Sequence, residues 1–167
     1  MIEVSGQIVS NHTGKLYRVS NRGKRSVMVL YNYNINDTLT VTFKNHMTQE
    51  LARSQTRLVQ YLLDRGLKPS ALSIENKCPE SLQNVFRENS INIQICPPKD
   101  HHINQAEKAI DTWNLHLLSG LSGVEPNFTM NLWCRLLPHV TQTLNPLHRS
   151  RINSRLSEES QLNEAFY

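Results

Sequence analysis

Between Pro97 and Lys108 the chain concentrates side chains that could act on a phosphate ester. Lys99, His101, His102, Asn104, Gln105 and Lys108 supply cationic, imidazole and amide groups, and Glu107 supplies a carboxylate. Basic and amide groups beside a helix start position phosphates, because the unpaired amides of the first turn add to the attraction. A merely solvated polar loop has the same composition. Glu107 is either a hard anionic oxygen of the kind magnesium requires or a complement to the positive end of a helix dipole. His101 and His102, with Cys78 and Cys96 upstream, raise zinc, but their spacing fits neither C-x-x-C nor H-x-x-x-H. No nucleotide-binding G-x-x-x-x-G-K-[ST] loop occurs, and no Ser-His-Asp or Cys-His context signals a nucleophile.

The elements around this stretch would have to position it. Ile91, Ile93 and Ile95 alternate as in a buried strand, and Pro97-Pro98 bars both helix and ladder continuation. From Ile103 onward Ala106, Ile110, Trp113, Leu117 and Leu121 recur every three or four residues, forming one helical stripe with Glu107 at its edge. Upstream, Gln7–Ser10, Leu16–Val19, Val27–Tyr31 and Leu39–Phe43 read as strands of an antiparallel meander. Asn11-His12-Thr13-Gly14 and Ser20-Asn21-Arg22-Gly23 are the turns between them. The continuous run at 27–31 suits a central strand buried on both faces.

A helix is predicted over 48–65, with Thr48 as N-cap and Gly66 and Pro69 as stop. Leu72-Ser73-Ile74 then forms a short strand ending at Glu75, and Pro79 opens a helix bearing Leu82, Val85 and Phe86. After a loop at 121–126, Asn127 caps a helix with Met130, Trp133, Leu136 and Leu137, and Pro138 kinks or breaks it. Val140, Leu144 and Leu147 continue that apolar patch. Ser157, followed by Glu158 and Glu159, reads as a further N-cap. A meander followed by strands alternating with helices gives a mixed α/β sheet with helices on its faces.

Composition sets the outer bounds. The 167 residues suffice for one domain with its own core. Three cysteines, Cys78, Cys96 and Cys134, form no C-x-x-C pair and follow no apolar leader, which argues against a disulfide framework. They read instead as small buried hydrophobes. No apolar run approaches the roughly 20 residues of a membrane span, so no membrane partner is expected. The net charge of +4 suits nucleic acid without demanding it. Arg149, Arg151 and Arg155 add a second basic cluster that serves either DNA or helix ends and solubility.

Several motifs carry a resemblance. Asn104-Gln105-Ala106-Glu107-Lys108-Ala109-Ile110 is similar to the N-x-A-E-R-A-I helix start of LTR-retrotransposon integrase catalytic domains, of the copia type. Thr13-Gly14-Lys15, Val27–Tyr31, Arg65–Pro69, Leu132-Trp133, Thr143-Leu144-Asn145 and Ser150–Asn153 follow in matching order, so the resemblance spans nearly the whole chain. It implies a ribonuclease-H-like three-layer fold, a five-stranded mixed sheet with helices on both faces. Residues 1–120 would be the catalytic core and 121–167 its helical extension, within a longer polyprotein.

The resemblance also implies DNA integration by strand transfer at a two-metal site, with three acids as ligands. Carried over residue by residue, their positions are Asn11, Glu75 and Glu107, where the family has Asp, Asp and Glu. Magnesium or manganese would be held weakly, by Glu75 and Glu107. Lys99, His101, His102, Asn104 and Lys108 would contact DNA, and a homodimer is the implied assembly. The setting would be the nucleus or a cytoplasmic particle. A non-catalytic DNA-binding or assembly module retaining the fold is the alternative.

Overall fold

The computed structural model describes residues 7–12, 18–75, 80–96 and 101–148, together with 155 and 157; at 11, 75, 101, 102 and 104 the description is of the backbone. Its centre is a strand with no exposed side. Strand β2, Ser26–Asn32, is buried at every position because apolar residues face both ways. Met28 and Leu30 join one core cluster, and Val27 and Val29 join another. Such a strand needs cover on two faces, and helices supply it.

Strand β1, Gln7–His12, lies antiparallel to β2, and β3, Asp37–Phe43, pairs with β2 on its other side. After the helix α1, Thr48–Leu63, strand β4, Ala71–Glu75, returns parallel to β1. Helix α2, Glu80–Glu88, leads into β5, Asn92–Cys96, parallel to β4. The sheet order is β3-β2-β1-β4-β5. Leu58, Val59 and Leu62 of α1 and Phe86 of α2 cover one face. Helices α3, His101–Ser122, and α4, Trp133–Leu144, cover the other through Trp113, Leu117, Trp133, Leu137 and Val140. The mixed α/β sheet with helices on both faces is therefore the observed architecture.

Several local expectations change. Leu16 and Tyr17 lie outside the described residues, but Arg18 and Val19 form no strand, and Val19 is 45% exposed. The segment instead turns tightly. Ser20 Oγ accepts the Lys24 N–H, Gly23 adopts φ +71°, and the Trp133 indole N–H donates to the Arg18 carbonyl at 2.9 Å. Asn11 and His12 belong to β1 rather than to a turn, because their register partners Val29 and Met28 extend the ladder.

Met47, not Thr48, caps α1, and no side chain bonds to the cap; Gly66, φ +71°, stops the chain beyond it. The strand expected to be buried, β5, is the sheet's edge, so Ile95 is 53% exposed while Ile91 packs in the core. Helix α3 begins at His101, ahead of the Ile103 start, and runs past Gly120 to Ser122. The loop expected from 121 is shifted accordingly. Asn127 caps nothing: a 3-10 turn at Met130–Leu132 leads into α4, which continues through Pro138 at the loss of one helical hydrogen bond. Leu147 is exposed, and Ser157 takes part in a β-bridge rather than an N-cap. The acids after Ser157 lie outside the described residues.

Side chains cover part of the β3 edge. The Asn145 amide donates to the Thr38 carbonyl at 3.2 Å and accepts the Thr38 N–H at 3.3 Å, copying a strand partner. Lys24 Nζ donates to the Thr42 carbonyl at 3.2 Å. These contacts occupy three of the backbone groups that an open edge would otherwise offer to another strand.

Candidate active site

The two parallel strands at the middle of the sheet bring two of the three sequence-predicted acid positions, 11 and 75, to neighbouring places. The β1–β4 register pairs Ile8 with Leu72 and Ser10 with Ile74. Asn11 and Glu75 stand one step further on, level with each other at the carboxyl ends of neighbouring strands. Successive strand residues alternate faces. Ile8, Leu72 and Ile74 belong to the cluster under α1 and α2, so positions 11 and 75 carry the parity of the opposite face. Helix α3 packs there against β1, β2 and β4. Ligand crevices in sheets with parallel strands lie outside the carboxyl strand ends, and positions 11 and 75 occupy such ends.

Glu107 sits in the second turn of α3, exposed, because the helix starts at His101. No acid stands in the first turn, and from the second turn Glu107 gains little from the helix dipole, whose effect falls off within the first turn. His101, His102 and Asn104 form the first turn of α3, Lys108 is exposed on the same helix, and Lys99 lies outside the described residues. Arg155 is exposed, while Arg149 and Arg151 lie outside the description. The sheet surface beside position 75 is polar: Ser73 Oγ donates to Gln94 Oε1 at 3.4 Å, and Asn92 and Gln94 are exposed. Among the described residues, no three His, Cys, Asp or Glu side chains gather as a metal-binding group.

Lys108 also lines a cavity of about 190 Å³ that sequence reading missed, with Tyr31, Asn36, Thr38, Thr112 and His148. Its walls come from the β2–β3 turn, α3 and the segment after α4, a convergence that no local spacing signals. Tyr31 Oη donates to Asn36 Oδ1. His116 Nε2 and Thr143 Oγ1 share a hydrogen bond of 2.9 Å nearby. Burial, and secondarily the charge of His116, hold His148 below the ordinary imidazole value of about 6.5.

A histidine depressed in the folded state binds its proton more readily when unfolded. Its contribution to stability is complete above about pH 6.5 and is lost as pH falls through the folded value. The melting temperature is therefore expected to fall between pH 7 and about pH 5, and to fall less in His148→Gln. Parallel curves for the two proteins would show that His148 does not drive the effect.

No family model matches the sequence, and no curated protein matches it. The backbone does have counterparts among solved structures. The crystal structure of the BIV integrase catalytic core domain aligns at a TM-score of 0.65 and 13% identity, covering 98% of this chain and 97% of that one. The fold is that of an integrase catalytic core. A chain of the cryo-EM structure of the simian T-cell lymphotropic virus intasome in complex with PP2A regulatory subunit B56 gamma also aligns at 0.65 and 13% identity. The alignment covers 93% of this chain and 53% of that chain, so the present chain spans about half its length. The integrase-core fold is ribonuclease-H-like, as the sequence resemblance implies. No described helix is long and apolar enough to cross a membrane.

Proposed function

We propose that the chain is an integrase-type catalytic core of an LTR retroelement, of the copia type, that binds DNA and is degenerate as a strand-transfer enzyme. The observation that carries this reading is the parallel register that sets Asn11 level with Glu75 at the carboxyl ends of β1 and β4. Helix α3, which bears Glu107, packs on both strands. The fold shared with integrase cores and the ordered motifs from Thr13 to Asn153 support the same reading.

The donor chemistry at these positions suits one hard divalent cation. Glu75 and Glu107 offer carboxylates and Asn11 a neutral amide oxygen. A pair of dications about 3.5–4 Å apart calls for more negative charge than two carboxylates bring. Magnesium or manganese, held by Glu75 and Glu107, would supply Lewis-acid polarisation of a phosphoryl oxygen. Lys99, His101, His102, Asn104 and Lys108 would hold phosphates at the α3 start, where cationic side chains and helix amides converge. Nuclear or cytoplasmic-particle residence, a homodimer and a core ending near residue 120 accompany this proposal.

Loss of one anionic ligand also supports a second reading, a DNA-binding or assembly module that keeps the fold without the chemistry. Both readings predict weak, sequence-independent DNA binding, since base readout needs an element inserted into a groove. Removing Lys99 and Lys108 together is expected to lower affinity and reduce the slope of log affinity against log salt by about 1.8. Unchanged affinity and slope would refute this placement of the DNA. Strand joining separates the enzyme from the module.

A further inference from the structure

Lys108 and Thr112, one turn apart on α3, rim the cavity of about 190 Å³ whose other walls include Tyr31, Asn36, Thr38 and His148. Glu107 and Lys108 are consecutive, and one helical step turns by about 100°, so the cavity lies off the side that Glu107 faces. Lys108 and Thr112 are exposed, whereas Tyr31 and Thr38 are buried. The cavity therefore opens to solvent along α3 and closes against the sheet.

Among the described residues the lining holds an amine, an imidazole, a carboxamide and three hydroxyls, and no carboxylate. Asp37 is close in sequence but stands on the other face of the sheet. It shares the parity of Leu39 and Phe43, which pack in the cluster under α1, while Thr38 shares that of Thr40, whose hydroxyl meets the Thr141 hydroxyl of α4 at 2.9 Å. Asp111 of α3 lies outside the lining. Asn36 holds a left-handed backbone, φ +63°, and its Oδ1 accepts the Tyr31 hydroxyl, so the amide nitrogen is the end turned away from Tyr31.

Size and donor placement select the ligand. The cavity is smaller than the roughly 300–1,000 Å³ pockets that take whole drug-sized molecules, so it suits one small group. Donors reach it from α3, from the β2–β3 turn and from the segment after α4. A carboxylate offers two oxygens in one plane, whereas a tetrahedral oxyanion presents acceptors to all three walls. We propose that this cavity is a subsite for a single phosphate group, held at the rim by Lys108 and Thr112 and within by the Asn36 amide and the His148 imidazole. A phosphate of a DNA strand lying along α3 and inorganic phosphate share this chemistry. The open rim favours the strand, whose linked phosphates enter only from an open side. The subsite rests on the DNA binding proposed above and adds to it a place, away from the strand-end acids, where one phosphate is fixed.

Inorganic phosphate is the first probe, titrated into the whole chain at an ionic strength held constant with chloride while backbone amide resonances are followed. Those of Asn36 and Thr112 are expected to shift saturably. Asn36→Asp keeps a residue type that tolerates the left-handed backbone and sets a carboxylate against the ligand, so it is expected to abolish the shift.

A mixed-sequence duplex without terminal phosphates is the second probe. Thr112→Val is expected to weaken its binding about tenfold, the size of a hydrogen bond to a charged group. The slope of log affinity against log salt should stay the same, because no charge is lost. Thr112→Ser keeps the hydroxyl and is expected to keep the affinity. Thr112 is exposed, and equal melting temperatures would show that the fold is intact. Saturable phosphate shifts with duplex affinity unmoved in Thr112→Val would give the cavity to free phosphate and remove the strand from it. No saturable shift, with duplex affinity unchanged in both Thr112→Val and Asn36→Asp, overturns the inference. The phosphate titration needs no DNA, so a chain that bound no duplex would refute the proposed function while the subsite was still read.

Discussion

In a magnesium- or manganese-dependent strand-joining assay, the chain as it stands is expected to be at least about a hundredfold less active than its double variant Asn11→Asp, Glu75→Asp. Asn11 presents a neutral oxygen where a bridging carboxylate would bring two ions together, so occupancy of the second ion falls first. Losing one ion removes half of the clamp on the attacking and leaving oxygens. Glu75 keeps its charge but carries it one methylene further out. Displacement by about 1 Å in a catalytic constellation alone costs on the order of a hundredfold.

The parallel register makes the reversion meaningful, because it places both changed positions at neighbouring strand ends, where a local substitution acts on one site rather than two. Asp37 offers no rescue: it is fully buried on β3, which β2 separates from β1. Asp100, the other candidate, lies outside the described residues. Robust joining by the unmodified chain would sink the degenerate reading. Joining only by the reversion would support it, and silence in both would point to the wider assembly that a core domain works within.

The sheet was legible where side-chain pattern and burial coincide. Val27–Tyr31 is a continuous apolar run because β2 has a helical layer on each face. The α3 stripe was legible for the same reason, since Trp113 and Leu117 are fully buried. What failed was decided by partners distant in sequence. Arg18 and Val19 look like strand, but the carbonyl of Arg18 is taken by Trp133 and the N–H of Asn21 by Asn131, which hold the segment against the start of α4 and the 3-10 turn before it.

Ile91, Ile93 and Ile95 alternate like a buried strand, yet sheet order alone puts β5 at the edge, and order is set by the crossovers rather than by the strand's own residues. At the candidate site, sequence gave chemical identity and the register gave adjacency.

Trp133→Ala is expected to lower the free energy of unfolding by about 3–5 kcal/mol, the range for deleting a fully buried large aromatic side chain. Trp133 is 0% exposed and packs with Val27, Val29, Trp113 and Leu137. Its indole N–H also holds the Arg18 carbonyl, and the neighbouring Cys134 thiol donates to Asn21 Oδ1 at 3.8 Å. One side chain thus joins α4, the 18–25 turn and the sheet.

Trp133→Phe keeps most of the apolar volume and loses the hydrogen bond, so its cost is expected to be nearer 1 kcal/mol for the bond, with the remaining volume loss added. Urea unfolding followed by far-ultraviolet circular dichroism measures both, and an alanine variant within about 1 kcal/mol of the parent would remove Trp133 from the account of stability. The effect should reach the candidate site along a short path. Val29 packs in the Trp133 cluster and is the register partner of Asn11, so loosening that cluster loosens the strand pair that sets position 11 against position 75. In the Asn11→Asp, Glu75→Asp background, Trp133→Phe is accordingly expected to reduce strand joining at temperatures where the protein remains folded.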